Sequence, residues 1–148
     1  MASEYVLRIP LNRHIITTER SFAAVLEDMR RALRGSESRS ALNGYVLPAE
    51  TTDTGARPVV GHQTRLIIDR PESTDELVRC LPDASAYYPA SVLLQLEKDG
   101  ACLAYDSVAS AISVYQDEEA QSIAELFDAE VLALLRRVAD PQLGMEGL

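Results

Sequence analysis

The chain has 148 residues, 47% of them hydrophobic and 25% charged, so it has the make-up of one ordinary folded domain and not of a disordered segment. Its formal charge is −9, from 23 acidic against 14 basic residues, a balance that repels phosphate backbones. Its longest apolar runs are four or five residues, far short of the roughly 20 needed to span a bilayer.

Further exclusions come from the residues themselves. The start, Met1-Ala2-Ser3-Glu4, lacks the basic-then-apolar form of a signal peptide, so a cytoplasmic location is expected. Arg30, Arg31, Arg34 and Arg39 are the main gathering of cations, and arginines at a helix end suit the helix dipole without any nucleic acid. Neither a nucleic-acid nor a membrane partner is therefore expected. Cys80 and Cys102 are far apart among apolar neighbours, which fits buried reduced thiols. There is no CxxC, HExxH or His/Cys cluster, and so no metal site is expected. GxGxxG, GxxxxGK[ST] and GxSxG are also missing, which leaves no phosphate cradle for a nucleotide cofactor and disfavours an acyl-transfer serine.

In chain order, Tyr5 to Ile9 alternates weakly until Pro10, and His14 to Thr18 reads as a β-branched strand. Phe22, Val25, Leu26, Met29 and Leu33 recur at helical spacing, with Thr18 or Ser21 to cap the start and Gly35 to end it. Gly44 to Leu47 is a short strand closed by Pro48, and 51–58 is a polar, turn-rich loop. Gln63 to Asp69 is a strand centred on Leu66-Ile67-Ile68 and stopped by Pro71. Ser73-Thr74-Asp75-Glu76 has capping-box form and opens a short helix that Pro82 shuts.

Ser91 to Glu97 and Ala101 to Tyr105 are strands joined through Asp99-Gly100, a hairpin turn. The last helix carries Ile123, Leu126, Phe127, Val131, Leu134, Leu135 and Val138 on one face, with acids before it and Arg136-Arg137 at its end. The expected fold is α+β: a mainly antiparallel sheet with two to three helices packed on it, one domain over 1–148 with loose ends at 1–4 and 141–148.

Several of these segments together resemble the domain-of-unknown-function 302 family. The match is carried by Thr64-Arg65-Leu66-Ile67-Ile68-Asp69-Arg70-Pro71, then Tyr88-Pro89-Ala90-Ser91-Val92-Leu93-Leu94, then Glu97-Lys98-Asp99-Gly100 and Leu103-Ala104-Tyr105-Asp106. The opening strand and helix, Ile15 to Leu33, also fit. Asp69-Arg70 and Ala90 depart from the family pattern where members carry small, asparagine or cysteine residues, so no role of those residues carries over. The resemblance implies a compact antiparallel α+β fold and a homodimer; it implies no chemistry.

Among candidate site residues, Arg65 and Asp69 share one face of their strand, and with Arg70 they form a polar set able to hold an anionic group. His62 falls on the other face and is a candidate general base. Tyr87-Tyr88 before Pro89, with Tyr105-Asp106 after the hairpin, are expected to line a pocket mouth. The acidic stretch from Asp117 to Glu130 reads as a solvated helix face.

The first expectation is therefore a small-molecule-binding homodimer whose pocket is lined by His62, Arg65, Asp69, Arg70, Tyr88 and Tyr105. The second is a small cofactor-free isomerase or cyclase using His62 or Asp106 as acid/base. The third is a regulator that binds a partner through the acidic last helix.

Overall fold

The computed structural model describes residues 1–34, 42–47 and 63–142. Five strands form one sheet in the order β1-β5-β4-β3-β2, every neighbouring pair antiparallel: β1 Arg13–Thr18, β2 Asn43–Val46, β3 Gln63–Asp69, β4 Ala90–Glu97 and β5 Gly100–Asp106. Four helices accompany them, α1 Phe22–Ala32, α2 Pro71–Cys80, α3 Val108–Ile112 and α4 Glu118–Ala139, with 3₁₀ turns at Pro82–Ala86 and Ser113–Tyr115. The α+β fold is as expected, with one helix more than the sequence reading allowed. The extra one, α3, has five residues, too few for a periodic apolar pattern.

Register decides which side of the sheet is covered. Leu66 and Ile68 of β3, Ala90, Val92 and Leu94 of β4, and Ala101, Leu103 and Tyr105 of β5 point the same way and are buried. Against them lie Val25 and Met29 of α1, Leu77 of α2, and Phe127, Val131, Leu134 and Leu135 of α4, making one continuous core. The opposite face carries Arg13 and Ile15, Arg65 and Ile67, Ser91 and Leu93, and Ala104 and Asp106. Among the described residues no helix packs on that side.

Ser21 accepts from the Ala24 amide and starts α1, and Asp117 does the same for α4 through Ala120. At the other end of α4 the Thr18 hydroxyl donates to the Ala139 carbonyl at 2.7 Å and Arg20 to Val138 at 2.6 Å. Two orphan carbonyls of a 22-residue helix are thus tied to the end of β1.

Three local expectations change. Helix α2 begins at Pro71, with Arg70 at the cap position and no side-chain cap, so the Ser73 capping box does not form. Proline fits the first helical position because its missing N–H has no partner there in any case. Thr74 turns back instead, its hydroxyl 2.6 Å from Asp69 Oδ1. Tyr5 to Ile9 has no strand partner among the described residues; Tyr5 to Arg8 run as an exposed arm ahead of β1 and Ile9 is half-buried. Of the polar loop over 51–58, nothing falls within the described residues.

Candidate functional site

Asp128 is the main revision of the sequence reading. It sits within the acidic stretch expected to be solvated, yet it is 7% exposed. Its Oδ1 accepts from the Tyr105 hydroxyl at 2.5 Å and the Val108 amide at 3.0 Å. Its Oδ2 accepts from the Ser107 hydroxyl at 2.6 Å and the Ala109 amide at 3.0 Å. Four donors around one carboxylate replace the water lost on burial, which is what allows an ionised acid to sit there. The knot joins the middle of α4 to the end of β5 and the first turn of α3. Burial, and then the neighbouring Asp128 charge, push the Tyr105 phenol far above its ordinary pKa. A signal for this was present: Ala124, Asp128, Val131 and Leu135 are spaced 4, 3 and 4 residues apart, which places Asp128 on the apolar stripe of the helix.

Tyr88 is also turned inward. Its hydroxyl accepts from the Arg70 amide at 2.6 Å and lies 3.2 Å from the Arg70 carbonyl, to which it donates. Its ring meets Phe127 edge-on with centroids 4.7 Å apart. Burial pushes its pKa up to about 12. The Arg70 guanidinium pairs with Glu130 of α4. Arg70 Nε is buried with no hydrogen-bond partner among the described residues. Tyr88, Tyr105, Arg70 and Asp69 therefore spend their polar atoms holding β3, β5 and α2 to one another and to α4. Arg65 lies on the other side of the sheet from both tyrosines, so the structure does not bring the expected lining into one concavity. His62 lies outside the described residues.

One part of the expected constellation does line a cleft. Asp106 ends β5 on the open side, and its two carboxylate oxygens accept from Arg13 Nε at 2.7 Å and Nη2 at 3.1 Å. No tyrosine hydroxyl reaches it among the described residues; those of Tyr88 and Tyr105 are bonded elsewhere. Beside Asp106 is a cleft of about 280 Å³, walled by Ile9 and Leu11 of the N-terminal arm, by Tyr87, Pro89 and Ser91, and by Val108 and Ala111. The Tyr88–Pro89 peptide is cis, and Pro89 lies at the surface of this cleft while Tyr88 goes into the core. The Asn12 carbonyl accepts from the Ser107 amide at 2.9 Å, and the Asn12 amide donates to Ser110 Oγ at 2.9 Å, so the root of the arm is fixed to the β5–α3 junction. The outcome is a recess of mixed apolar and polar lining, with one ion pair beside it and two serines, Ser91 and Ser107, in its wall.

No protein-family model and no curated protein matches the sequence. The fold is that of an uncharacterized conserved protein DUF302 from Bacillus stearothermophilus, whose crystal structure superposes with a TM-score of 0.70 over 85% of this chain and 97% of that one, at 10% identity. The architecture implied by the sequence motifs is therefore shown in a solved structure of the same family as the resemblance. No helix among the described residues is long and apolar enough to cross a membrane.

Proposed function

We propose that the chain is a small-molecule-binding module acting as a homodimer, with the ligand seated in the cleft beside Asp106. The observation that carries this is the cleft itself. Five apolar side chains from three separate segments (Ile9, Leu11, Tyr87, Pro89 and Ala111) converge on one carboxylate at a rim. Ligand sites combine apolar walls with a few placed polar groups; this cleft offers both, in a mixed lining, and about 280 Å³ is just below their usual range. The acceptor at the rim favours a ligand with a flat apolar body and a cationic head. Such a head exchanges with Arg13, whose pairing with Asp106 is exposed and worth little.

Benzamidine and benzylamine are suitable probes. Titration followed by ¹H–¹⁵N correlation spectra is expected to move the amides of Ser91, Asp106 and Ser107 together. Asp106→Asn should weaken the binding about tenfold or more, since the head loses its charged acceptor. Ser91→Phe, on an exposed wall position, should abolish it by filling the recess. Saturable shifts elsewhere, or none up to the solubility of both probes, overturn the assignment. Native mass spectrometry on gently purified protein reads oligomeric state and any retained small molecule in the same spectrum.

A further inference from the structure

The exposed apolar surface of this chain is not scattered. Met1, Tyr5, Val6, Leu7 and Leu11 of the N-terminal arm and Ile15 and Tyr45 of the open sheet face are large apolar side chains left in solvent; the helical side contributes only Leu126 among the described residues, and the hairpin end Leu96. Tyr5 and Val6 are 86% and 80% exposed, although Tyr5-Val6-Leu7-Arg8-Ile9 has the composition of a strand. A segment with strong β preference that has no partner among the described residues is suited to complete the surface of another molecule.

We infer that the arm Met1–Arg8, ahead of the cleft-lining Ile9 and Leu11, packs across the open sheet face of a second copy of this chain, each arm embracing the other protomer. Three observations select a second copy as the occupant. The first is reach. The arm's eight exposed residues extend about 26 Å at about 3.3 Å per residue. The five strands span about 19 Å at about 4.8 Å per spacing. The second is charge. The arm Met1–Arg8 and the open face hold three arginines (Arg8, Arg13 and Arg65) against four acids (Glu4, Asp69, Glu97 and Asp106), a net of −1 out of the chain's −9. Two copies of so acidic a chain repel each other little through a face so nearly balanced in charge. The third is continuity: the arm's anchored root at Asn12 leads directly into β1, so residues before it leave from the edge of the face that they would cover in the partner. This arrangement is isologous, as expected for a two-fold dimer.

The inference rests on the homodimer reading above, and the test separates the two. Light scattering on size-exclusion fractions, from nanomolar to high micromolar concentration, is run on the full chain and on two variants. One is Tyr5→Ser with Val6→Asp in the arm; the other is Ile15→Glu on the face. All three positions are solvent-exposed, so both variants are expected to melt within a degree or two of the parent monomer. The expected result is a parent dimer whose dissociation constant rises about a hundredfold or more in each variant. A parent that is monomeric throughout overturns both the inference and the homodimer reading, and leaves the Asp106 cleft to its own titration. A parent dimer that survives either variant overturns the arm-on-face arrangement alone.

Discussion

Removing the buried carboxylate of Asp128 should be among the most damaging single changes available in this molecule. Asp128→Ala leaves the Tyr105 hydroxyl, the Ser107 hydroxyl and the amides of Val108 and Ala109 without their acceptor. A hydrogen bond to a charged group contributes about 1.5–3 kcal/mol, but four to one group do not add, and deletion also removes the cost of burying the charge. The net loss is expected at about 3–5 kcal/mol, a large share of the roughly 5–15 kcal/mol that holds a domain together. For a chain of this length that corresponds to a fall of about 10 °C or more in Tm.

Urea unfolding followed by far-ultraviolet circular dichroism measures the loss directly. Asp128→Asn keeps the shape but presents an NH₂ to donors on one side, and should recover only part of the loss. Tyr105→Phe added to Asp128→Ala removes an orphaned hydroxyl, so the double variant should be more stable than the sum of the two by about 1–2 kcal/mol. A loss below about 1 kcal/mol for Asp128→Ala, or strict additivity in the double variant, refutes the view that this knot ties α4 to the β5–α3 junction.

Two further outcomes follow from the same geometry. The folded state holds the Tyr88 and Tyr105 protons more tightly than the unfolded chain, where tyrosine titrates near 10. Their contribution is therefore complete below about pH 10 and is lost as pH climbs toward and past 12, by up to about 1.4 kcal/mol per pH unit for each ring. Phenolate absorbance near 295 nm should show part of the six-tyrosine signal, that of Tyr88 and Tyr105 included, appearing only well above pH 10, and a full titration below pH 11 in folded protein would contradict this. Gly100 closes the β4–β5 hairpin with φ of +154°, and a Cβ there would lie 1.9 Å from the Thr18 carbonyl oxygen. Gly100→Ala is expected to cost more than about 2 kcal/mol in the same urea assay, and a neutral result would mean that β1 and the hairpin can separate freely.

Much of the architecture was written locally. The apolar runs Leu66-Ile67-Ile68 and Val92-Leu93-Leu94, the 3–4 spacing along α4, Ser21 at the α1 cap and the acids ahead of α4 each act over a few residues, and each formed the expected element; the hairpin forms too, with Lys98-Asp99 as its turn and Gly100 already paired with Glu97. The Ser73 capping box did not, because Pro71 starts the helix two residues earlier and Thr74 finds Asp69. Tyr5 to Ile9 shows the limit of local preference: a strand also needs a neighbour to accept its backbone hydrogen bonds, and none pairs with it among the described residues.

What only tertiary structure decided is the fate of the polar side chains. The sequence places Tyr88, Tyr105, Arg65 and Asp106 in or beside its expected strands, but a tyrosine's ring and hydroxyl suit a pocket mouth and a core equally well. Strand parity and the covering helices settle it: they turn Tyr105 toward α4, seat Tyr88 against Phe127, and leave Arg65 and Asp106 on the opposite face. Asp128 went the other way, from an apparent surface acid to the centre of the core network. Its carboxylate is stable there because the start of α3, some twenty residues earlier in the chain, supplies two amides and a hydroxyl beside Tyr105. A sequence dictates preferences over one turn or one strand, whereas the burial of a charge depends on donors that only the completed fold brings to it.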